Sequence, residues 1–438
     1  MENIKSQAMQ KKAKQFIPGM SGLLSKRPDM FSLGVWPGYY SKAEGAKVWD
    51  LDGNAYIDMS MGGIGANVLG YADPDVNAAV IETVKKGSSS SLNCPEEVEL
   101  AEELCRMHPW AQMARFARSG GESMAAAVRI ARAHTGRDVV VLCGYHGWHD
   151  WYLAANVGTE DALGEHLIPG LSPVGVPRAL KGTTLVFSYN DLGSLQKVVS
   201  ENRNKIAAIV MEPVRSAQPL PGFLEGVRLL ADEAGAVFII DEISAGFRMN
   251  CGGAHLLYGI KPDIAVFSKA LGNGYPVAAI IGRASVMESA QKSFISSTMW
   301  TERIGPVAAL ATIKKFRQVK AHERLMEIGR LVQDGWKTAS LRHGLPIKIS
   351  GIYPLSHFIF DDQEQPVMKA FFVQEMLMKG FLASNLFYSM FAHTKDHVRA
   401  YLIAADEVFG RIKQLKDTDG LRAALKGEPS ASGFKRIT

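Results

Sequence analysis

Apolar and polar positions follow two rhythms along this chain. In its middle third, short and mostly uncharged runs recur at Asp138–Leu142, Thr183–Phe187, Ala207–Met211, Val237–Ile240, Asp263–Phe267 and Val277–Gly282. Continuous β-branched and aliphatic runs of this length suit strands buried on both faces of a parallel sheet. Helical spacing occupies the intervals, with amphipathic helices at Asp73–Lys86 and Pro95–Met107 and an alanine-rich helix beginning near Glu122. That alternation predicts an α/β domain. Past about residue 310 the rhythm changes. Long helices from Ile304 to about Gln318 and from His322 to about His343, strands at Ile347–Ile352 and His357–Phe360, and helices at Lys369–Lys379 and Lys395–Leu415 predict a smaller α+β unit. At the other end, a helix and an irregular arm precede a hairpin over Ala46–Ile57, turned at Asp52-Gly53, a dipeptide that favours tight turns. The expected division is therefore 1–60 for helix, arm and hairpin, 61–310 for the large domain, 311–415 for the small one, and a polar tail over 416–438. The tail lacks periodicity and is expected to be extended or flexible.

Two of the buried runs end in chemistry. Val237–Ile240 delivers Asp241, and Asp263–Phe267 leads through Ser268 to Lys269 and a glycine-bearing loop. The 28 residues from Asp241 to Lys269 are about one strand-to-strand crossover, so carboxylate and amine stand at neighbouring strand ends. Open α/β sheets bind ligands there. An ordinary ion pair of the core is one use of such a pair. The other is pyridoxal phosphate, which takes a lysine Schiff base and an aspartate partner for its ring nitrogen.

Composition narrows the class. The chain has 438 residues, enough for more than one domain, with 47% apolar and 21% charged residues. A net charge of +5 is small for that length and gives no reason to expect nucleic acid. Cys94, Cys105, Cys143 and Cys251 lack CxxC spacing and suit reduced thiols in the cytoplasm. No apolar run reaches the length of a membrane span, and no signal-peptide core is evident.

Further residues gain meaning once a phosphate-bearing cofactor is suspected. Ser119-Gly120-Gly121 leads into the alanine-rich helix, where unobstructed backbone N–H groups suit a phosphate. Serine before a helix is equally a plain N-cap. Tyr145, in Tyr145-His146-Gly147-Trp148-His149-Asp150, follows a strand and could stack on a planar ring. His146 and His149 have no third ligand in reach by spacing, so no metal is expected. Gly63-Ile64-Gly65 lacks the third glycine of a dinucleotide fingerprint, Val68 standing in its place.

The stretches VWDLDGNAYIDM, RFARSGGES, RIARAHTGRD, YHGWHD, MEPV, GFLEGVR, IIDEISAGFR, FSKALGNGYPVAA and FAHT occur in this order over roughly residues 45–395. With them the chain resembles class III aminotransferases of pyridoxal-phosphate fold type I, and glutamate-1-semialdehyde aminomutase and its relatives in particular. The resemblance implies a large domain with a mostly parallel seven-stranded sheet and a smaller α+β domain. It implies that Lys269 carries the cofactor and shuttles the substrate proton, that Asp241 pairs with the ring nitrogen, and that Tyr145 and Ile243 cover its two faces. Ser119, Gly120 and Gly121 would bind the phosphate, and Glu212 would lie close to the ring. Thr298 would reach the phosphate of a neighbouring subunit, implying a homodimer with shared sites.

Three departures bear on the reaction. Gly121 lacks the hydroxyl usual in the phosphate loop, a loss of about 1 kcal/mol per bond. The aminomutase arm carries an arginine for the substrate carboxylate, and here SGLLSKRPDM offers only Arg27. Asn385 stands where the aminomutase has a glutamate before its AHT motif. Arg215 and Arg303 are other anion-binding candidates, or surface ion pairs. The sequence is therefore read as an aminotransferase passing an amino group from a small-molecule donor, glutamate, to an aldehyde or ketone, in the manner of relatives in carbohydrate and natural-product pathways. A true aminomutase is the nearest rival, and a cofactor-binding protein without catalysis is a more distant one.

Overall fold

The computed structural model describes residues 3–167, 169–214 and 216–431. The chain divides into two compact units, one formed by residues 74–322 and the other by residues 1–73 and 323–438.

The unit at 74–322 is built on a seven-stranded sheet whose order is 113–117, 278–282, 264–267, 237–241, 206–211, 139–143, 184–186. Ala278–Gly282 pairs antiparallel with both its neighbours, while the other pairings are parallel. Every residue of Val139–Cys143, Ile206–Met211, Val237–Asp241 and Ile264–Phe267 is buried. The period of two along each strand divides them between two cores. Val140, Leu142, Val210, Ile239 and Val266 pack on one face with the helix Gly120–Thr135. Val141, Ile209, Met211, Phe238 and Ile240 pack on the other with the helix Phe223–Ala234. The strand Met113–Ala117 was not expected: it alternates too little to stand out, and its pairing with Ala278–Gly282 supplies what local pattern does not.

In the other unit, Phe381–Ala383 lies parallel to Ala55–Met59, so both ends of the chain share one sheet with Tyr40–Glu44 and Lys47–Asp50. A second sheet joins Ile347–Ser350, Leu355–Phe360 and Leu386–Tyr388. Phe358, Phe371, Phe372 and Phe409 fill the core beside Trp336, whose indole N–H donates to Tyr401 Oη at 2.9 Å. The helix expected at Lys369–Lys379 starts at Gln365, because Pro366 in its first turn forfeits no intrahelical bond.

The expected tail opens inside the helix Lys395–Asp417, passes through turns at 418–419 and 421–424, and is pinned from there on. Through residue 431 it runs along the N-terminal arm, with Lys426 N donating to Gln374 Oε1 (2.7 Å), Glu428 N to Leu33 O (3.0 Å), Ser430 N to Pro366 O (3.1 Å) and Ala431 N to Asp29 O (2.7 Å). Residues 432–438, also part of the expected tail, lie outside the described residues.

Gly329, inside the helix Ala321–His343, shows how closely backbones approach here: a Cβ at this position would run into the Tyr353 carbonyl. Alanine ordinarily stabilises a helix by about 1 kcal/mol over glycine. The collision outweighs that gain, so Gly329→Ala is expected to lower the thermal midpoint by the equivalent of about 1–3 kcal/mol. A raised midpoint in calorimetry would contradict the close approach.

Candidate active site

Asp241 ends its strand with its carboxylate 2% exposed. Oδ1 accepts the Ile243 N–H at 2.9 Å, and Oδ2 lies 2.8 Å from His146 Nδ1. His146 Nε2 lies 3.1 Å from the Cys143 carbonyl. A carbonyl only accepts, so Nε2 carries a proton, and a second proton must lie between Nδ1 and the carboxylate. The pair is thus neutral as a whole, which is what allows a carboxylate to be buried here. His146, weighed in the sequence for metal binding, instead orients Asp241.

The next strand, Ile264–Phe267, pairs Val266 opposite Asp241. Lys269 emerges just beyond, at φ +47°, a left-handed conformation that costs a lysine about 1–3 kcal/mol and persists only where surroundings enforce it. Ser268 Oγ, donating to Val277 O at 3.0 Å, is one of those constraints. Lys269 Nζ donates to Ser244 Oγ at 2.8 Å. Ser244, absent from the sequence expectations, is found only through the fold.

Ser119 caps the helix Gly120–Thr135: Glu122 Oε2 accepts from Ser119 N (2.9 Å) and Ser119 Oγ (3.1 Å). The N-cap use foreseen for this serine is the one observed, with both of its donors turned to Glu122. A Cβ on Gly120 would lie 2.7 Å from Ile243 Cδ1, and one on Gly121 would lie 2.9 Å from the His149 ring. Only glycine leaves this cradle open. His149 Nδ1 is buried there without a hydrogen-bond partner, and burial holds the imidazole below its usual pKa. A polar atom orphaned beside a helix N-terminus, whose first N–H groups have no partner within the helix, fits a phosphate group.

Tyr145 N donates to Glu212 Oε2 at 3.1 Å, and the Tyr145 ring meets Tyr152 edge-on. Tyr145 and Ile243 both pack against the core on the Asp241 side of the sheet. The structure thus brings together Gly120, Gly121, Tyr145, Glu212, Asp241, Ile243 and Lys269. Thr298 is exposed on a short turn, flanked by the exposed Phe294 and Met299. Arg303 is closed on Glu96 by two bonds of 2.8 and 2.6 Å. Arg27, in the other unit, is closed on Asp29 by bonds of 3.1 and 2.6 Å. Asn385, in that same unit, donates to Phe358 O at 2.9 Å. Arg215 lies outside the described residues.

Residues 34–385 match the family model described as aminotransferase class-III. The chain belongs to the class-III aminotransferases. A 3-aminobutyryl-CoA aminotransferase of Cloacimonas acidaminovorans (strain Evry) is 30% identical over 427 residues, covering 94% of this chain and 98% of that protein. The FumI protein of Sphingopyxis sp. MTA144, solved in its PLP internal aldimine form, superposes with a TM-score of 0.86 at 26% identity, covering 98% of this chain and 99% of the other. A glutamate-1-semialdehyde-aminomutase from Pseudomonas aeruginosa PAO1 shares the fold, with a TM-score of 0.80 at 21% identity over 93% of this chain and 95% of its own. The fold is that of the fold-type I transferases, and the protein is a PLP-dependent aminotransferase.

Beneath the site of this aminotransferase lies a buried polar cluster. Glu242 Oε1 accepts from His255 N (2.8 Å) and lies 2.6 Å from His255 Nδ1. His255 Nε2 accepts from Trp110 Nε1 at 3.0 Å, which places the imidazole proton on Nδ1. His108 Nε2 likewise accepts from Gly253 N at 3.1 Å, so its Nδ1 donates to Leu104 O at 2.8 Å. Burial pushes His108 down to about 4. A histidine depressed in the folded state contributes stability above its unfolded pKa of about 6.5 and loses it as pH falls. Unfolding free energy should therefore drop between pH 6.5 and about 4. Urea titrations across that range should show a shallower drop for His108→Gln, and an equal slope would remove His108 as the cause.

Proposed function

We propose that this enzyme passes an amino group from glutamate to an aldehyde or ketone by two half-reactions, with a 3-oxoacyl compound as the favoured acceptor class. The observation that carries the amino-transfer reading is the Asp241–His146 pair beside Lys269 at adjacent strand ends. The acceptor class draws support from the relative that shares 30% identity nearly end to end, by its name an aminotransferase of 3-aminobutyryl-CoA. It is preferred to the carbohydrate or natural-product setting because no residue of the site speaks for the latter.

When bound, pyridoxal phosphate supplies an electron sink for the carbanion left when the substrate's amine-bearing carbon loses its proton. Lys269 Nζ would hold the cofactor and, once displaced by the substrate amine, take that proton and keep it for return. A positioned base of this kind contributes about 10²–10⁴-fold. Asp241 would face the ring nitrogen, each of its oxygens keeping a lone pair beyond the bonds to Ile243 and His146. Ser119, the N–H groups of Gly120 and Gly121, and the orphaned His149 would hold the phosphate. Tyr145 and Ile243 would cover the ring, with Glu212 beside Tyr145. Thr298 would complete the phosphate site of a second copy in a homodimer, and the exposed Phe294 and Met299 beside it are apolar surface that such a copy would cover.

The closure of Arg27 on Asp29 and Arg303 on Glu96 favours transfer between two molecules over the aminomutase reading, which needs a carboxylate anchor through both steps. The intact Lys269 and Asp241 speak against a protein that only binds the cofactor.

Absorption of the purified protein tests the reading. The cofactor's visible band should disappear with glutamate and return with a 3-oxoacyl compound. A band untouched by glutamate would remove it as donor, and a colourless protein that takes up no added pyridoxal phosphate would overturn the assignment. Lys269→Ala should lose at least about 10²-fold in turnover. In sedimentation the protein should run as a dimer, and Phe294→Asp should shift it towards monomer; a monomeric wild type would overturn the shared site.

A further inference from the structure

Ser244 stands on a turn whose every side is constrained. Ile243 N bonds Asp241 Oδ1 at 2.9 Å, Gly246 N bonds Glu242 O at 2.8 Å, and Arg248 Nε bonds the Ser244 carbonyl at 3.2 Å. Phe247 N closes on Gly252 O at 2.8 Å. Arg248 is 1% exposed, and a Cβ on Gly246 would lie 2.7 Å from Glu242 O and 2.9 Å from the Phe267 ring, so the turn has no slack. On the other side, Lys269 is held at φ +47° by the structure that follows its strand. Two rigid supports therefore present the Ser244 hydroxyl and the Lys269 amine to each other at 2.8 Å.

We propose that the Ser244 hydroxyl is the dock of the Lys269 amine, holding it beside the strand ends whenever it is not bonded to cofactor. The inference deepens the amino-transfer reading, which requires Lys269 Nζ to be displaced, to carry one proton, and to return to the same place. An unrestrained lysine has four rotatable side-chain bonds and would spend that interval among many rotamers. A hydroxyl accepts from the ammonium and can donate to the neutral amine by rotating, so it holds both protonation states that a proton carrier passes through. No bond is made or broken at Ser244. It touches the reacting nitrogen and fixes where that nitrogen waits. Alanine at this position would leave the turn's backbone bonds in place and remove only the dock.

The test uses the full-length protein freed of cofactor, with an amine-acetylating reagent and peptide mass spectrometry at Lys269 across pH. Accepting from the ammonium favours the charged form. Ser244→Ala should therefore move the labelling midpoint down and speed labelling about threefold to tenfold at pH below it, while Ser244→Thr should label like wild type. On cofactor-loaded protein, the half-reaction with amino donor should slow about tenfold in Ser244→Ala and recover in Ser244→Thr. Circular dichroism and the thermal midpoint separate a folding defect from a local one. An unchanged labelling midpoint in a folded Ser244→Ala protein overturns the proposal, whatever happens to turnover. Loss of the half-reaction in wild type, with the labelling shift intact, would instead overturn the amino-transfer reading and leave the dock standing.

Discussion

The register between two parallel strands carries the rest of the site. Asp241 lies opposite Val266, and the chain leaving that second strand reaches Lys269 three residues later. A slip of one residue in either strand would turn every side chain to the other face of the sheet. Asp241 would then point among Phe238 and Ile240, where a carboxylate has no partner. Both faces are buried, so the register is enforced by two hydrophobic cores at once.

Burying a carboxylate at that point creates a second requirement, and the fold meets it twice in succession. Asp241 and Glu242 are adjacent and turn to opposite sides. Each meets an imidazole, Asp241 with His146 at 2.8 Å and Glu242 with His255 at 2.6 Å. The histidines come from different connections, one following the strand Val139–Cys143 and the other from the short helix Ala254–Tyr258. One pair orients a group towards the ligand side. The other, through Trp110, His108 and Gly253, fixes the turn on which Ile243 and Ser244 stand. Rigidity in the turn is what lets short side chains there act at defined positions.

Much of this was legible before the fold. Uninterrupted apolar runs marked five of the seven strands closely, since burial on both faces leaves no room for charge; the short Thr184–Val186 was recognised with wider bounds. Asp241 and Lys269 stood out because charged residues at the ends of such runs are conspicuous. The glycines at 120 and 121 were readable as a helix start, though their tight packing against Ile243 and His149 was not. Met113–Ala117 and Phe381–Ala383 escaped notice because each owes its strand state to a distant partner, and the tail's course along residues 29–33 depends on acceptors almost four hundred positions away.

The amino-acid sequence by itself placed a lysine and an aspartate at the ends of buried strands and a glycine-bearing helix start between hydrophobic runs, because local pattern and spacing set these; that left a core ion pair and a cofactor site both open, and the motifs shared with class III aminotransferases chose between them. Only the tertiary structure decided which groups these side chains meet. His146 became the partner of Asp241, Ser244 the partner of Lys269, and Arg27 and Arg303 were closed on Asp29 and Glu96. A hydrogen bond acts over about 3 Å, and which side chains come that near depends on how strands and turns far apart in the chain are packed.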